Sequence, residues 1–376
     1  MIKRFAAVCL STCLVLGLSG CGSDKDDSAE KELTGNYKQT MLVVPESINT
    51  EKGFLDEYES VEKVVLPDNY EKDIDKITDQ IASFAENKKV KCIIIASDEE
   101  GMLPVFEKIR EKNDTVITVA AGIEEARSEE NIETVATDQN ITMGFNPTGM
   151  DNPLNAVRMA KAMGASSFVN YVDTYSKDNL YIMEDSKYIK SECRRNNIKY
   201  IEVEVRGMKN ENDYKGAEKF IMEDAEKRAG NKNTALYAST KLMDEAIIRA
   251  AIDNKLMVPN IHSLNSGELY CKILDIDVKE DEKDDYRAIN DKISKEVNKI
   301  GMEGKLAGNE IPEKTFCIEA AIETTEQIFT KNGDEFSVFK EMQSNVKEKT
   351  GIWAEYKKVK YDRNFFRAVE LYPILY

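Results

Sequence analysis

Histidine is almost absent from this chain of 376 residues, which contains a single one, His262. A histidine-based zinc site or a Ser-His-Asp triad would depend wholly on that imidazole. The segments H-E-x-x-H, G-x-S-x-G and G-x-x-x-x-G-K-[ST] are missing as well. These segments are the usual sequence signatures of zinc peptidases, α/β-hydrolases and P-loop nucleotidases, so the sequence gives no evidence for these enzyme classes. We therefore predict no catalytic residue, no cofactor and no metal, and a structural role for His262.

Positively charged residues are fewer than negatively charged residues in this chain. It has 52 Lys and Arg against 69 Asp and Glu, which gives a formal net charge of −17. A chain this acidic repels phosphate backbones, and no basic stripe offsets that repulsion. The acidic stretch over 275–285 lacks the residue order and the central glycine of a calcium loop. We predict no nucleic-acid partner, and a solvated loop over this stretch.

No Cys-x-x-Cys segment is present either. Three of the seven cysteines lie within the first 21 residues, and the others are widely spaced: Cys92, Cys193, Cys271 and Cys317. Four cysteines allow three disulfide pairings, and nothing in the spacing favours one of them. Because Cys92 and Cys317 lie in apolar runs, buried free thiols are the expected state.

The apolar run over 5–18 is too short for a transmembrane helix, which needs about 20 residues. It follows a basic start and precedes small residues, as in a secretory signal. The segment 18–21, Leu-Ser-Gly-Cys, resembles the lipobox of bacterial lipoproteins. That resemblance implies a signal peptide over 1–20, a lipid anchor on Cys21 and a location at the extracytoplasmic face of the cell membrane. The alternatives are an ordinary signal peptide with a chance cysteine, or a core helix.

The segment 21–36 is rich in charge and has no apolar periodicity, which predicts a flexible tether. Apolar runs then alternate with helical patterns. The run 92–96 is apolar on both faces, as in a buried parallel strand, and helical spacing predicts a helix over 70–87. Further strands are predicted over 40–44, 61–66, 115–120 and 132–136. The alternation indicates an α/β fold with an open parallel sheet.

Two glycines and two prolines over 144–153 interrupt the alternation. It then restarts, with strands predicted over 167–172, 199–205, 234–238 and 256–261. We predict two lobes, each a parallel sheet with helices on both faces. Lobe one comprises 37–148 and 308–350, lobe two comprises 149–307, and a C-terminal segment over 351–376 packs across both.

This order of elements resembles the type 1 periplasmic-binding fold. Solute-binding lipoproteins and the effector domains of LacI-type repressors share that fold. The segment 90–97 (VKCIIIAS) resembles its third strand, and 135–140 (VATDQN) with Gly144 resembles the turn before its first crossing. The segment 234–240 (TALYAST) resembles a strand of the second lobe. The resemblance implies a chain that starts in lobe one, crosses to lobe two and later returns.

Polar residues just after the predicted strands are the candidate ligand contacts. Ligands of open α/β sheets bind beyond the carboxyl ends of the strands, and between two lobes that place becomes a closable cleft. Lobe one offers Glu46, Ser97, Asp98, Glu99 and Asp138, and lobe two offers Asn170, Asp173, Arg206, Ser239 and Thr240. For each residue the alternative is a helix cap or a turn.

These features predict an extracytoplasmic lipoprotein that binds a small polar ligand for an ABC-type permease or a sensor kinase. A sugar, a nucleoside and an amine-bearing molecule all remain open as the ligand. One alternative is a surface hydrolase that uses Asp98 and Asp138 as paired carboxylates, and another is a structural lipoprotein without a ligand. The C-terminal aromatic residues are expected to pack rather than to stack on a ligand: Trp353, Tyr356, Tyr361, Phe365 and Phe366.

Overall fold

Two sheets organise the part of the chain that a computed structural model describes, namely residues 33, 36–48, 58–67, 69–126, 129–147, 152–262, 265–279, 282 and 285–376. The strands are β1 (Thr40–Pro45), β2 (Val61–Leu66), β3 (Cys92–Ile95), β4 (Ile117–Ala121), β5 (Met143–Pro147), β6 (Ser167–Asp173), β7 (Lys199–Val205), β8 (Thr234–Ala238), β9 (Ala307–Gly308), β10 (Ala354–Lys358), β11 (Phe365–Leu371) and β12 (Ile374–Leu375). The helices are α1 (Ile74–Ser83), α2 (Leu103–Lys112), α3 (Glu129–Thr137), α4 (Asn152–Ala162), α5 (Leu180–Arg195), α6 (Tyr214–Arg228), α7 (Asp244–Asn254), α8 (Ser266–Ile273), α9 (Tyr286–Lys299), α10 (Glu313–Lys331) and α11 (Glu335–Thr350). The predicted α/β fold class is confirmed.

The larger sheet, called the first sheet below, has seven strands in the order β10-β11-β5-β4-β3-β1-β2. All neighbours pair in parallel except β10, which is antiparallel to β11. Successive side chains of β3 point to opposite faces. Cys92 and Ile94 pack with residues of α10, and Ile93 and Ile95 pack with residues of α1 and α2. The first sheet is therefore buried on both faces by helices.

The second sheet has the order β7-β6-β8, with all strands parallel. Single parallel bridges from Ala235 to Met257 and from Val258 to Leu306 extend it towards β9. The segment 256–261, which was predicted as a strand, therefore forms only these two isolated bridges, at Met257 and Val258. Two apolar clusters cover its faces, one with residues of α4 and α5 and the other with residues of α6, α7 and α9.

Three connections lead from one sheet to the other in the described chain. Strand β5 of the first sheet is followed by α4 on the second, and β9 is followed by α10 on the first. Strand β11 of the first sheet is followed, after two residues, by β12, which pairs antiparallel with β9. The sequence predicted that the segment 351–376 packs across both lobes, but it did not predict the strands β10, β11 and β12.

The strand predicted over 132–136 is wrong, because these residues lie in helix α3. Ile132, Val135 and Ala136 are buried on one face of that helix, and their spacing of three and one residues fits a helical turn. A short apolar run supports a strand or a helix equally well until its burial is known.

The described residues Leu33–Tyr376 form one compact unit, and the boundaries of the two lobes stay a prediction. The four cysteines in this unit are free and buried, as predicted. Of the C-terminal aromatic residues, Phe365 and Phe366 are buried, whereas Trp353 and Tyr361 are exposed. None of the helices in the described ranges combines the length and the apolar character that crossing a membrane requires. The predicted signal peptide and Cys21 lie outside the described residues.

Candidate functional site

The carboxyl ends of the two sheets lie next to each other. Strand β11 ends at Leu371 at the carboxyl end of the first sheet. Ile374 pairs with Gly308 in the two-stranded sheet β12-β9, which the bridge from Val258 to Leu306 places beside the carboxyl end of the second sheet. Three steps along the chain separate Leu371 from Ile374, so their Cα atoms are at most about 11 Å apart. Residues that follow the strands of either sheet therefore lie around one shared region.

Lys314 ties together two strand ends of the first sheet. Its Nζ donates to the backbone oxygen of Ser97 at 2.6 Å and to Oε2 of Glu124 at 3.0 Å. The Ser97 hydroxyl accepts from the backbone N–H of Glu124 at 3.0 Å. Ser97 follows β3, Glu124 follows β4, and Lys314 lies in the first turn of α10. The sequence pointed to Ser97 but gave no signal for Lys314 or Glu124.

Asp98 and Glu99 lie at the same end, against Tyr70. The Tyr70 hydroxyl donates to Oδ1 of Asp98 at 2.9 Å and accepts from the backbone N–H of Glu99 at 3.0 Å. Burial, with Asp98 adding to it, raises the pKa of Tyr70. Glu46 follows β1 and is exposed. Among the predicted residues of lobe one, Glu46, Ser97, Asp98 and Glu99 thus share the carboxyl end of the first sheet.

Asp138 does not belong to this group. It follows α3 and precedes β5, so it lies near the amino ends of the strands. Its Oδ1 accepts from the backbone N–H of Asn140 at 2.7 Å, as in a turn. Asp98 follows the carboxyl end of β3, and a strand of five residues separates the two levels by roughly 15 Å. Paired carboxylates of glycosidases are about 5–9.5 Å apart, so Asp98 and Asp138 do not form such a pair.

At the carboxyl end of the second sheet, Asp173 and Ser239 are linked. The Ser239 hydroxyl accepts from the backbone N–H of Asp173 at 3.2 Å, and Oδ1 of Asp173 accepts from the backbone N–H of Tyr175 at 2.8 Å. The Thr240 hydroxyl oxygen is buried and has no hydrogen-bond partner among the described residues. Arg206 follows β7, and 77% of its side chain is exposed. These four residues lie at or just after the carboxyl ends of β6, β7 and β8, and their contact with a ligand stays a prediction.

Asn170 lies inside β6 and not after it. Its side chain is buried, and its Nδ2 donates to the hydroxyl oxygens of Ser186 at 3.1 Å and Tyr200 at 3.3 Å. The position of Asn170 among the residues that follow a strand is therefore wrong, because it lies within the strand predicted over 167–172 and within β6.

His262 has a structural role, as predicted. Its Nε2 is 2.6 Å from the backbone oxygen of Ala238, and its ring centroid is 5.1 Å from that of Tyr237. Burial lowers the pKa of His262. Among the residues that the structure describes, no three His, Cys, Asp or Glu side chains are arranged to hold a metal ion.

Polar contacts also accompany the connections between the sheets. Asn155, in the first turn of α4, donates to Oε1 of Glu370 on β11 at 2.7 Å. Lys357 on β10 pairs with Oε2 of Glu370 at 2.6 Å. Asn309, between β9 and α10, donates to Oε1 of Glu313 at 3.0 Å. Each of the three connections thus carries a polar residue beside it, and none of these residues was predicted.

Comparison with known proteins gives a family and a fold. A family model described as "Protein of unknown function (DUF3798)" matches residues 38–307. No curated protein matches the chain. A crystal structure from Clostridium difficile 630, described as a "Putative transcriptional regulator", is similar with a TM-score of 0.78 and 21% identity. The similarity covers 90% of this chain and 99% of that chain, and at this identity it shows the fold alone.

Solute-binding proteins are among the other similar structures. One is described as a periplasmic ribose ABC transporter from Conexibacter woesei DSM 14684, with a TM-score of 0.43 and 12% identity over 77% of this chain and 85% of that chain. Another is an ABC transporter solute binding protein from Bradyrhizobium sp. BTAi1 with bound Bis-Tris, with a TM-score of 0.43 and 11% identity over 79% and 78%. The predicted fold is confirmed by the structure with a TM-score of 0.78, and the two solute-binding proteins with TM-scores of 0.43 add no argument to it. At these TM-scores the likeness carries no information about the ligand.

Proposed function

The chain belongs to the DUF3798 family, whose description records no function, and we propose that it is an extracytoplasmic solute-binding lipoprotein. It captures a small polar ligand between the carboxyl ends of its two sheets and presents it to an ABC-type permease or a sensor kinase. A lipid anchor on Cys21 holds it at the outer face of the cell membrane.

The adjacency of the two carboxyl ends carries this proposal. Open α/β sheets bind ligands beyond the carboxyl ends of their strands, and this molecule brings two such ends together through short connections. A few backbone torsions in such connections are enough for hinge closure of two lobes. The ligand then lies between the lobes and is shielded from water.

The side chains around this region suit a polar ligand. Asp98 and Glu99 on the first sheet and Asp173 on the second offer carboxylate acceptors, and Arg206 offers up to five N–H donors. Since 77% of the Arg206 side chain is exposed, its guanidinium is accessible to a ligand. The residues Ser97, Ser239 and Thr240 complete the proposed contacts.

Arg206 allows a matched test of binding. Arg195, at the end of α5, is equally exposed at 77% and also pairs with a glutamate, but it lies at the amino end of the second sheet. A thermal-shift screen of sugars, nucleosides, amino acids and polyamines first identifies a ligand. We expect Arg206→Ala to weaken its binding about tenfold or more, while Arg195→Ala leaves the affinity unchanged.

Small-angle scattering with that ligand should show a smaller radius of gyration. An unchanged radius with a saturating ligand contradicts closure, and equal losses in both arginine variants contradict the location of the site. A screen in which nothing binds to the folded chain favours the structural lipoprotein instead.

Anchoring has its own test. We expect Cys21→Ser to abolish incorporation of labelled fatty acid and to leave the protein unprocessed or released from membranes. Cys13→Ser, within the same N-terminal segment, is the control and should be labelled normally. Equal labelling of the Cys21→Ser variant rules out the lipid anchor at this residue.

A further inference from the structure

Three lysines lie side by side at the amino end of the second sheet. Lys232 lies two residues before β8, and Lys255 and Lys305 lie just before the two segments that the parallel bridges add beside β8. Parallel segments begin at the same edge of a sheet, and neighbouring segments are about 4.8 Å apart. The three side chains therefore start from a stretch of this edge about 10 Å wide.

Backbone carbonyls at the ends of two helices hold the three ammonium groups. Nζ of Lys232 donates to the backbone oxygen of Asn254 at 2.8 Å, and Nζ of Lys305 donates to that of Lys255 at 2.7 Å. Both carbonyls lie at the end of α7. Nζ of Lys255 donates to the backbone oxygen of Ile300, directly after α9, at 2.5 Å. Each of these contacts uses one of the three N–H donors of an ammonium group.

No carboxylate balances the positive charge of this group. Among the described residues, no Asp or Glu forms an ion pair with Lys232, Lys255 or Lys305, whereas Lys292 and Lys299 on α9 each pair with a glutamate. Burial lowers the pKa of Lys305, and the charges of Lys232 and Lys255 lower it further. The three ammonium groups are therefore close enough to repel one another.

We propose that Lys232, Lys255 and Lys305, called the lysine site below, bind a phosphate group. The ends of α7 and α9 carry about half a negative elementary charge each, so three ammonium groups leave about two positive charges unbalanced. A phosphate monoester carries about 1.5–2 negative charges at neutral pH and offers three acceptor oxygens. It therefore matches the lysine site in charge and in hydrogen bonding, whereas chloride or a carboxylate balances only about half of the charge.

The lysine site is open to solvent. Lys232 is exposed, and Lys255 and Lys305 are only partly buried, so an anion reaches all three without a buried cavity. The proposed ligand contacts of the second sheet lie at its carboxyl end, which is the opposite end. This inference thus goes beyond the proposed function and does not depend on it.

The first part of the test uses inorganic phosphate on the full chain at pH 7.5. At ten times its dissociation constant, phosphate should raise the melting temperature by about 2 °C, and sodium chloride at equal ionic strength should not. In titration calorimetry, we expect Lys305→Gln to weaken phosphate binding about tenfold or more. Lys232→Gln, which changes an exposed lysine, should weaken it up to about fivefold.

Lys161→Gln is the matched control. Lys161 is exposed, and its Nζ donates at 3.2 Å to the backbone oxygen of Asn196, just after α5, so it also places an ammonium group at a helix end. Phosphate should bind to this variant as it binds to the unchanged protein. Equal losses in Lys161→Gln and Lys232→Gln mean that phosphate responds to the overall surface charge, and this result overturns the proposal, as does a phosphate shift no larger than that of chloride.

Stability without phosphate gives a second readout. If the three lysines repel one another, Lys232→Gln at low salt should melt no lower than the unchanged protein. If they only cap helix ends, Lys232→Gln melts lower because a cation at a helix end is lost. A lower melting temperature together with unchanged phosphate binding overturns the proposal.

Two phosphate esters complete the test. Methyl phosphate keeps the double charge, and dimethyl phosphate carries a single charge on the same phosphorus centre. Binding of methyl phosphate as tight as that of inorganic phosphate assigns the lysine site to phosphate-bearing molecules, and binding of inorganic phosphate alone assigns it to the free ion. If dimethyl phosphate binds as tightly as methyl phosphate, the lysine site does not recognise the double charge and the proposal is wrong.

Discussion

Lys314 holds the carboxyl end of the first sheet together at one point. The side chain of Lys314 is 12% exposed, and its counter-charge is Glu124, whose side chain is 17% exposed. Gly122 leaves the space for it, because a Cβ atom there would lie 3.1 Å from Cβ of Lys314. The positive φ of 72° at Gly122 also disfavours any other residue. The glycine at position 122 is therefore explained by a lysine that lies 192 positions (314 − 122) further along the chain.

The first prediction concerns this lysine. Lys314→Met keeps a long unbranched side chain but removes the hydrogen bonds that Lys314 donates to the Glu124 carboxylate and the Ser97 carbonyl. We expect the free energy of unfolding to fall by about 1.5–3 kcal/mol, as measured by urea denaturation at pH 7. Adding Glu124→Gln should recover part of the loss, because the carboxylate that has lost the charge of Lys314 is then replaced by a neutral amide.

Lys331→Met is the control for that prediction. Lys331 pairs with Glu341 on the surface, where 45% and 46% of the two side chains are exposed. Exposed ion pairs contribute about 0–1 kcal/mol. A loss in Lys331→Met as large as that in Lys314→Met contradicts the assigned role of Lys314.

The strands and helices differ in how far the sequence predicts them. Strand β3 is predictable because every residue from Cys92 to Ile95 is apolar and both of its faces are buried. Strand β11 is not, because Arg367 and Glu370 interrupt its apolar pattern although both are buried. Their partners, Asp362 and the pair of Asn155 and Lys357, come from other parts of the fold. A sequence does not display such partners.

Among the other strands that were missed, β10 is explained by its position at the edge of the first sheet. Strand β10 reads Ala-Glu-Tyr-Lys-Lys, and most of its side chains are only partly buried or exposed. Charged side chains are common on edge strands because they discourage pairing with other molecules. The residues of β10 therefore have a low strand propensity, although the fold places an edge strand here.

The residues of the candidate site also differ in how far the sequence predicts their positions. The positions of Ser97, Asp98 and Ser239 after strands were predictable because β3 and β8 are apolar and buried, whereas Arg206 follows β7, which alternates polar and apolar residues. Lys314 was not, because it follows a connection between the sheets and not a predicted strand. Asp138 was placed wrongly because α3 was taken for a strand, which reversed the end of the sheet to which it belongs.

At the scale of the whole molecule, the three connections share a set of polar groups. Asn155 and Glu370 join the first and third connections, and Asn309 and Glu313 lie in the second. Burial raises the pKa of Glu313 to about 7, the hydrogen bond from Asn309 opposes this rise, and Glu370 adds to it. Lys357 balances the charge of Glu370. Protonation of Glu313 is therefore coupled to the polar groups at the connections between the sheets, the region about which the lobes would turn in the proposed closure.

The last prediction concerns the pH dependence of this linkage. Between the ordinary pKa of a glutamate, 4.5, and the raised value of about 7, the folded chain binds more protons at Glu313 than the unfolded chain does. Its stability must therefore fall as the pH rises through this window. Glu313→Gln cannot titrate, and its amide oxygen still accepts from Asn309. We expect thermal melts of the two proteins to coincide near pH 4 and to separate progressively up to pH 8, with the variant the more stable.

Glu335→Gln is the matched control, because Glu335 is the first residue of α11 as Glu313 is the first residue of α10. If the loss of a charge at a helix start were the cause, both variants would be destabilised, since a carboxylate there interacts favourably with the helix dipole. If the surroundings of Glu313 are the cause, only Glu313→Gln gains stability, and only above about pH 5. A gain of the same size in both variants contradicts the linkage between the connections and proton binding.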